Sequence, residues 1–323
     1  MIRLSIIIPF YNVEQYIAEC LDSVFDQDIP LEEYEVICVN DASPDHSRDI
    51  VLDYMKRYPN LRLVEHDHNR KLGAARNTGR AAAKGVYIWN VDSDDKIAPN
   101  CLSEMLKICE EKELDVLRFD KEIFTNTGEE IPVKRYQWDN VVRNGIEFYK
   151  VSVPNQSYFN CVWTLMLRRA YLDEQHIYSP EINMGEDVPF TCEVLLKAKR
   201  IMGSSNPYYH YRRNDDSLTG RQNKCPKAAA VYEDSVYCTG AIYQSFIHPL
   251  AVGDEFVHHF IYNLAQCNFI KDYNFVQQMD VEQRKHLRRL YWNSLRKLHF
   301  LPHILSRKQC FRFAMFMLTG KYY

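Results

Sequence analysis

The run Asp92-Ser93-Asp94-Asp95 is the sharpest local pattern in the sequence, and it follows an apolar stretch at 86–91 that predicts a buried strand. The carboxylates at alternate positions, Asp92 and Asp94, suit a hard divalent cation such as Mn²⁺ or Mg²⁺, which prefers oxygen ligands. Such a cation can neutralise a diphosphate and promote its departure. A polar turn that caps the following helix explains the same residues equally well, so this run alone leaves both interpretations open.

Asp187 is a second carboxylate that has both a chemical and a structural interpretation. It follows Gly185-Glu186 and precedes a predicted helix at 188–200, a pattern that favours a helix N-cap. A carboxylate at this place can also take the proton from an attacking hydroxyl as a general base. The two roles are compatible.

Polar residues in two further predicted loops give weaker evidence for ligand or metal binding. Asp41 ends a predicted strand at 35–39 and can accept a hydrogen bond from a base or ribose, although an Asp ahead of Ser-Pro is more commonly a turn residue. His66 and His68 stand two apart; a metal pair is conceivable, but exposed loop histidines are the favoured interpretation. No GxGxxG follows a strand, and neither GxxxxGK[ST] nor GxSxG occurs, which argues against dinucleotide-binding, P-loop and serine-hydrolase classes.

The elements that must position these residues alternate between strand and helix through the first 120 residues. Apolar periodicity predicts strands at 4–9, 35–39, 61–65, 86–91 and 115–119 and helices at 13–24, 44–58, 73–84 and 100–112, the second helix opened by Ser43 as N-cap. This order predicts an α/β fold with a doubly wound, mainly parallel sheet and helices on both faces. Such sheets bind ligands beyond the carboxyl ends of their strands, which is where Tyr11-Asn12, Asp41 and Asp92–Asp95 fall. Further along, a helix at 188–200 and a strand at 208–212 are predicted, and from 227 onward the chain is mostly helical.

Composition and charge limit the classes of protein to which the chain can belong. With 323 residues, 46% hydrophobic and 26% charged, the chain is neither disordered nor low in complexity. The ten cysteines are scattered without a CxxC pair, which argues against a zinc ribbon or a disulfide framework and favours a reducing cytosol. No stretch approaches the roughly 18 apolar residues needed to span a bilayer.

Residues 281–323 form a basic tail on an acidic body. They contain ten Lys and Arg against the single acid Glu282, a net charge of +9, while the rest of the chain carries −12. Apolar residues recur at mostly helical spacing beside the basic ones, which is typical of helices that lie on an anionic membrane surface. The alternative is that this apolar stripe packs on the body of the protein. A nucleic-acid partner is disfavoured, because the body is acidic.

Four motifs occur in a fixed order and together resemble the family-2 glycosyltransferases, which have the GT-A nucleotide-sugar-binding fold. They are Ile6-Ile7-Ile8-Pro9-Phe10-Tyr11-Asn12, Asn40-Asp41-Ala42-Ser43, Asn69-Arg70-Lys71-Leu72-Gly73-Ala74-Ala75-Arg76-Asn77-Thr78-Gly79 and Asp92-Ser93-Asp94-Asp95. The resemblance extends more weakly through Val162-Trp163-Thr164, Gly185-Glu186-Asp187 and Tyr209-His210-Tyr211-Arg212. The resemblance implies a GT-A domain at 1–226, with the nucleotide-sugar side at 1–125 and the acceptor side at 126–226, followed by a helical region at 227–323.

The resemblance also implies roles for individual residues. The nucleotide sugar would be bound by Pro9, Tyr11, Asn12, Asp41 at the base, Arg76 and Asn77 near the ribose and diphosphate, Asp92, Ser93 and Arg212. The metal would be held by Asp94 together with Asp92. Trp163 and Glu186 would lie on the acceptor side, and Asp187 matches the family's catalytic base. The segment 211–219 is similar to a mobile loop that closes over the donor, from which Arg212 or Arg213 would reach the diphosphate.

The function implied is an inverting sugar transfer that depends on Mn²⁺ or Mg²⁺. The donor would be a nucleoside-diphosphate sugar, with a UDP-sugar favoured, and the acceptor a glycan or a lipid-linked sugar in the assembly of a bacterial-type surface polysaccharide or glycolipid. The expected location is the cytoplasm, peripheral to the inner face of the membrane. Two alternatives remain. A sugar nucleotidyltransferase would need a Gly-rich loop where Pro9-Phe10-Tyr11-Asn12 stands, and a non-catalytic sugar or nucleotide binder would have lost the paired carboxylates or the base.

Overall fold

The structure is a computed structural model, and it describes residues 1–133, 135, 137–157, 160–182, 185–213, 253–257, 280–282, 284–285, 288–289, 292 and 315. The chain divides into two compact units, one made of Met1–Glu181 with Glu193–Asn214 and the other of Ile182–Cys192 with Asp215–Tyr323. The basic tail, apart from a few of its residues, lies outside the described part, and so do residues 214–219 of the loop predicted at 211–219. Among the described residues no helix is both long and apolar enough to cross a bilayer.

The elements follow the chain in the alternating order that the sequence predicts. The strands within the described ranges are β1 Leu4–Phe10, β2 Tyr34–Asn40, β3 Leu61–Glu65, β4 Tyr87–Asn90, β5 Lys96–Ile97, β6 Val116–Arg118, β7 Lys121–Thr125, β8 Glu130–Ile131, β9 Leu165–Arg168, β10 Ile201–Gly203 and β11 Tyr209–Arg213. The helices there are α1 Ile17–Phe25, α2 Ser47–Met55, α3 Lys71–Ala82, α4 Leu102–Glu111, α5 Gly145–Ser152, α6 Arg169–Glu174 and α7 Asp187–Lys197, with a short 3-10 helix at Val162–Thr164.

The main sheet of the first unit has seven strands in the order β10-β6-β9-β4-β1-β2-β3. The pairs β1–β2, β2–β3, β1–β4 and β6–β10 are parallel, and only β9 runs antiparallel to its neighbours β4 and β6. The chain winds outward from β1 to β3 on one side and then returns to β4 on the other. The doubly wound, mainly parallel sheet predicted from the sequence is thereby confirmed, and its topological switch point lies between β1 and β4.

Both faces of the central strands are covered, which explains their uninterrupted apolar sequences. Every residue of β1 and β2 is buried. On one face, Ile6 and Ile8 belong to the same core cluster as Leu21 of α1. On the other face, α3 lies so close that a Cβ added at Gly79 would stand 2.3 Å from the Cγ2 atom of Ile7. The small residues of α3 therefore bring its backbone close to the strand ends.

A second, four-stranded sheet in the same unit has the order β5-β11-β7-β8. Strand β11 lies parallel to β7 and antiparallel to the two-residue strand β5, which directly follows the Asp92–Asp95 run. The strand predicted at 208–212 is thus confirmed, and the second sheet brings it beside the acidic motif.

One local prediction needs correction. Helix α2 begins at Ser47, with His46 as its N-cap residue, and not after Ser43. The Ser43 hydroxyl instead accepts the Asn12 N–H at 2.7 Å and donates to Asp45 at 2.6 Å, so it connects the loops after β1 and β2.

The stretch 136–163, which shows no clear period in the sequence, contains helix α5, whose capping box pairs Asn144 with Glu147. That Asn-x-x-Glu spacing was a readable signal for a helix start.

Candidate active site

Three polar loops meet at the carboxyl ends of β1, β2 and β4. Strand register sets Phe10 beside Asn40 and Ile7 beside Asn90, so the residues that follow each strand emerge at one edge of the sheet. Pro9 is tolerated within β1 because β4 pairs only with Leu4–Ile7, and the missing N–H faces no β4 partner.

The loop after β1 turns sharply and exposes an aromatic ring. Asn12 adopts a left-handed backbone conformation with φ of 57°, and its N–H is fixed by Ser43. Tyr11 is 47% exposed, although it directly follows a buried strand. This geometry leaves Tyr11 open to a ligand at the strand ends.

Asp41, which follows β2, is buried and holds the start of α3. Its two carboxylate oxygens accept the backbone N–H groups of Arg70 at 2.7 Å and Lys71 at 2.9 Å. The imidazole Nδ1 of His66 lies 2.7 Å from the same carboxylate. Fixed donors from two chain segments thus set the orientation of Asp41, which the sequence marked only as a candidate base or ribose ligand.

The interpretation of His66 as an exposed loop histidine is wrong, whereas that of His68 is confirmed. The His66 side chain is 4% exposed, and its Nε2 lies 2.9 Å from the Thr78 hydroxyl on α3. The His68 side chain is 72% exposed and pairs with the neighbouring Asp67. Sequence spacing could not separate the two histidines, because the burial of His66 depends on where α3 packs.

Helix α3 also carries Arg76 to the acidic motif. The Arg76 guanidinium is almost fully buried, and its Nη2 lies 3.0 Å from Asp92 Oδ1. Since the first turn of α3 is bound by Asp41, one helix connects the loop after β2 to the loop after β4. The structure thus brings together Asp41, Arg76 and Asp92, as the motif order predicts.

Asn77, the neighbour of Arg76, makes contacts on another side of the helix. Its amide donates to the Ser179 carbonyl at 2.8 Å, and its side-chain oxygen accepts the Ser179 N–H at 2.9 Å. A Cβ on Gly73 would come within 1.9 Å of the Pro180 carbonyl oxygen, so α3 and this segment are in tight contact. The role of Asn77 near the ribose stays a prediction; the structure shows it holding the backbone at Ser179.

The acidic motif has three carboxylates in different environments. The Asp92 side chain is 24% exposed and pairs with Arg76, whereas Ser93 and Asp95 are buried. Burial, and then the nearby charge of Asp92, raise the pKa of Asp94 to about 6. In the described part of the chain, Asp94 forms no ion pair with a basic side chain. Asp92 and Asp94 are therefore mutually repelling carboxylates at the strand end.

Asp95 has a structural role that the sequence did not reveal. Its oxygens accept the Tyr209 hydroxyl at 2.7 Å and the backbone N–H of Arg212 at 2.6 Å. Burial raises the pKa of Asp95 well above its usual range, and the neighbouring carboxylates add to this shift. Asp95 thus joins the motif to β11 of the second sheet.

Arg212 is buried within β11, where its guanidinium already has several partners. Its Nε donates to the Asp94 carbonyl at 2.8 Å, and its Nη2 is bound to Glu19 of α1. Its role as a diphosphate ligand stays a prediction. The contacts present show that Arg212 supports the backbone of the acidic motif.

Trp163 belongs to an aromatic stack beside that motif. Its ring stacks on Tyr209 with centroids 4.4 Å apart and on Tyr211 at 5.4 Å. The ammonium of Lys121 lies 4.8 Å from the centroid of the Trp163 ring. Because Tyr209 also binds Asp95, the proposed acceptor residue is connected to the motif through one tyrosine.

Glu186 and Asp187 belong to the second unit. Helix α7 begins at Asp187, which therefore lies in the first helical turn and not at the N-cap position. An acidic side chain is favourable there, because the N-terminal end of a helix carries partial positive charge. The assignments of Glu186 to the acceptor side and of Asp187 as the base stay predictions.

The described residues include no group of three or more His, Cys, Asp or Glu side chains placed to hold a metal ion. Within the described ranges, the strand end thus offers the two carboxylates of Asp92 and Asp94, and a cation there stays a prediction. Mg²⁺ is commonly bound through one or two carboxylates together with substrate phosphates, so two carboxylates are compatible with that prediction.

Comparison with known proteins agrees with this architecture. The family model described as Glycosyl transferase family 2 matches residues 5–176, just over half of the chain, and the chain belongs to that family. It is similar to the crystal structure of Staphylococcus aureus TarS 1–349 in complex with UDP-GlcNAc, with a TM-score of 0.69 and 23% identity over 92% of this chain and 82% of that one. The fold is accordingly GT-A.

Two curated relatives illustrate the sequence similarity. The uncharacterized glycosyltransferase EpsJ of Bacillus subtilis is 32% identical over 217 residues, which cover 67% of this chain and 62% of EpsJ. The poly(ribitol-phosphate) beta-N-acetylglucosaminyltransferase TarS of S. aureus is 32% identical over 245 residues, which cover 73% of this chain and 39% of TarS. The chain thus spans less than two thirds of the length of these relatives.

Proposed function

We propose that the protein transfers a sugar from a nucleoside-diphosphate sugar, with a UDP-sugar favoured, to an acceptor hydroxyl in the assembly of a cell-surface polysaccharide or glycolipid. The observation that carries the proposal is the convergence of Tyr11, Asp41 and the acidic motif at the switch point of the sheet, where doubly wound folds bind nucleotides. Family membership supports it, and so do relatives whose names describe teichoic acid synthesis or glycosyl transfer to poly(ribitol-phosphate).

A divalent cation, Mn²⁺ or Mg²⁺, is part of this proposal. The support is electrostatic: Asp94 forms no ion pair among the described residues, and burial, followed by the charge of Asp92, raises its pKa more than the nearby Arg212 lowers it. A cation held by Asp94 with Asp92 would relieve that repulsion. When bound, it supplies positive charge to the diphosphate leaving group.

The protein side chains would divide the remaining tasks. Asp41 accepts a hydrogen bond from the base, and Tyr11 covers the nucleotide. Arg76 balances the charge of Asp92 through their ion pair. Asp187 takes the proton of the acceptor hydroxyl, which attacks the anomeric carbon from the face opposite the leaving group and inverts it. Trp163 and Glu186 would serve the acceptor side.

The basic tail would hold the enzyme at the inner face of an anionic membrane without spanning it. The support is the composition of residues 281–323, which combine a net charge of +9 with apolar residues at helical spacing. A lipid-linked acceptor would give this location a function.

The test is a panel of UDP-, GDP- and CDP-sugars, each incubated with the full chain and Mn²⁺ or Mg²⁺. We expect release of one nucleoside diphosphate and a rise in melting temperature with the same donor, since a ligand at 100 times its Kd stabilises by about 2.7 kcal/mol. Thermal stabilisation without turnover, even with crude glycolipid acceptors, would favour a non-catalytic binder. Formation of a nucleotide sugar from a nucleoside triphosphate would favour a nucleotidyltransferase.

A further inference from the structure

His66 connects two parts of the candidate nucleotide site that lie far apart in sequence. Its Nδ1 lies 2.7 Å from Asp41 Oδ1, and its Nε2 lies 2.9 Å from the Thr78 hydroxyl on α3. The His66 backbone N–H is also fixed, because it donates to the Asn40 carbonyl at 2.9 Å. With both Asp41 and His66 about 5% exposed or less at their side chains, this chain of hydrogen bonds is shielded from water.

These contacts define which atom of the ring carries a proton. An ionised carboxylate only accepts hydrogen bonds, so Nδ1 must be the N–H donor to Asp41. In the neutral ring, Nε2 then accepts the proton of the Thr78 hydroxyl, which fixes the tautomer from the other side.

The same contacts limit what Asp41 can still bind. A carboxylate has about four acceptor positions, and the N–H groups of Arg70, Lys71 and His66 occupy three of them. The remaining position can accept one N–H group from a ligand. A base that presents a ring N–H, as uracil and guanine do, satisfies that position, whereas the corresponding ring nitrogen of cytosine is an acceptor and leaves only the exocyclic amine to donate.

We propose that His66, fixed by Thr78, is a positioning residue that orients Asp41 and thereby sets the preference for a base with a ring N–H. The proposal rests on the proposed function, in which Asp41 meets the base of the donor. His66 itself does not contact the nucleotide; it acts through Asp41.

The first experiment is independent of any nucleotide. Nitrogen-15 NMR of the histidine rings in the full chain should show that Nδ1 of His66 is protonated and Nε2 is unprotonated. Asp41→Asn should perturb the ring signals of His66 and leave those of His68 unchanged. A His66 ring with the proton on Nε2 alone would overturn the proposal.

The second experiment measures the affinity of UDP, GDP and CDP by calorimetry in Mn²⁺. His66→Leu should weaken the preferred nucleotide by about tenfold, the effect of one hydrogen bond to a charged group. Binding of CDP should change little, so the ratio of the affinity for the preferred nucleotide to the affinity for CDP falls. His66→Asn, whose amide reaches nearly the position of Nδ1, should restore most of the ratio, and His68→Leu is the matched control.

The outcomes separate this proposal from the proposed function. Equal weakening of all nucleotides by His66→Leu would indicate a merely structural role and overturn the inference, as would unchanged selectivity. If the wild-type protein binds no nucleoside diphosphate, the proposed function fails, and the NMR result still decides whether His66 orients Asp41.

Discussion

The hydroxyl of Tyr209 bonds to two members of the acidic motif. It donates to Asp95 Oδ2 at 2.7 Å and accepts the backbone N–H of Asp92 at 3.1 Å. Tyr209 lies in the second sheet, whereas the motif follows β4 of the first. One buried phenol therefore fixes the backbone that presents Asp92 and Asp94 at the strand ends.

Replacing Tyr209 by Phe should destabilise the protein and weaken UDP binding. The change leaves the buried Asp95 with one donor fewer and the Asp92 N–H without its acceptor, at a cost of about 1–3 kcal/mol. Thermal and urea unfolding measure this cost. Tyr87→Phe is the matched control, because the Cys109 carbonyl that Tyr87 binds also accepts the Leu114 N–H. An equal decrease in the free energy of unfolding in both variants would show that the Tyr209 hydrogen bonds to the acidic motif have no special weight.

Replacing Asp94 by Asn should remove the dependence of nucleotide binding on metal. We expect the affinity for UDP in Mn²⁺ to fall by about tenfold or more, since a cation contributes several kcal/mol at a diphosphate. Calorimetry with and without a chelator measures the difference. Asp67→Asn, an exposed carboxylate, is the control. Wild-type UDP affinity that is the same in chelator and in Mn²⁺ would contradict the proposed cation.

Replacing Asp187 by Asn should lower turnover by roughly 10²–10⁴ and leave UDP affinity unchanged, as expected for loss of a general base. The size of the side chain is kept, so helix α7 should still form. Single-turnover rates and calorimetry together measure the two effects. Full activity in this variant would assign the base elsewhere, and Glu186→Gln is then the next variant to measure.

Replacing Asn77 by Ala tests whether this residue supports the fold or binds the ribose. Loss of both hydrogen bonds to Ser179 should lower the free energy of unfolding by about 1–3 kcal/mol, with UDP affinity within about twofold. Asn155→Ala, which removes an exposed local hydrogen bond, should change stability by less than about 0.5 kcal/mol. An unchanged stability with tenfold weaker UDP binding would instead support the ribose role.

Neutralising basic residues of the tail should release the protein from anionic vesicles. Each basic side chain near such a surface contributes about 1 kcal/mol at low salt, so a full-length variant with Arg284, Lys285, Arg288 and Arg289 changed to Gln should bind at least about 10²-fold more weakly. Co-sedimentation with phosphatidylserine-containing and neutral vesicles measures this. If the wild-type chain stays in the supernatant with anionic vesicles at low salt, membrane docking is wrong.

The sequence by itself determined the order and type of the main elements and the chain positions of the polar loops. Strand and helix periods are local properties, and buried parallel strands such as β1 and β2 are apolar throughout, so they are easily recognised. Because the carboxyl ends of parallel strands lie at one edge, the convergence of Asn12, Asp41 and Asp92 also followed from the sequence.

The tertiary structure alone decided which partners within the protein these polar side chains have. His66 meets Asp41 across 25 positions, Asn77 meets Ser179 across 102, and Tyr209 meets Asp95 across 114. Such contacts depend on which strand and helix become neighbours, and no local period encodes that. Two histidines two residues apart therefore looked alike in sequence, although one is buried against a carboxylate and the other lies in water.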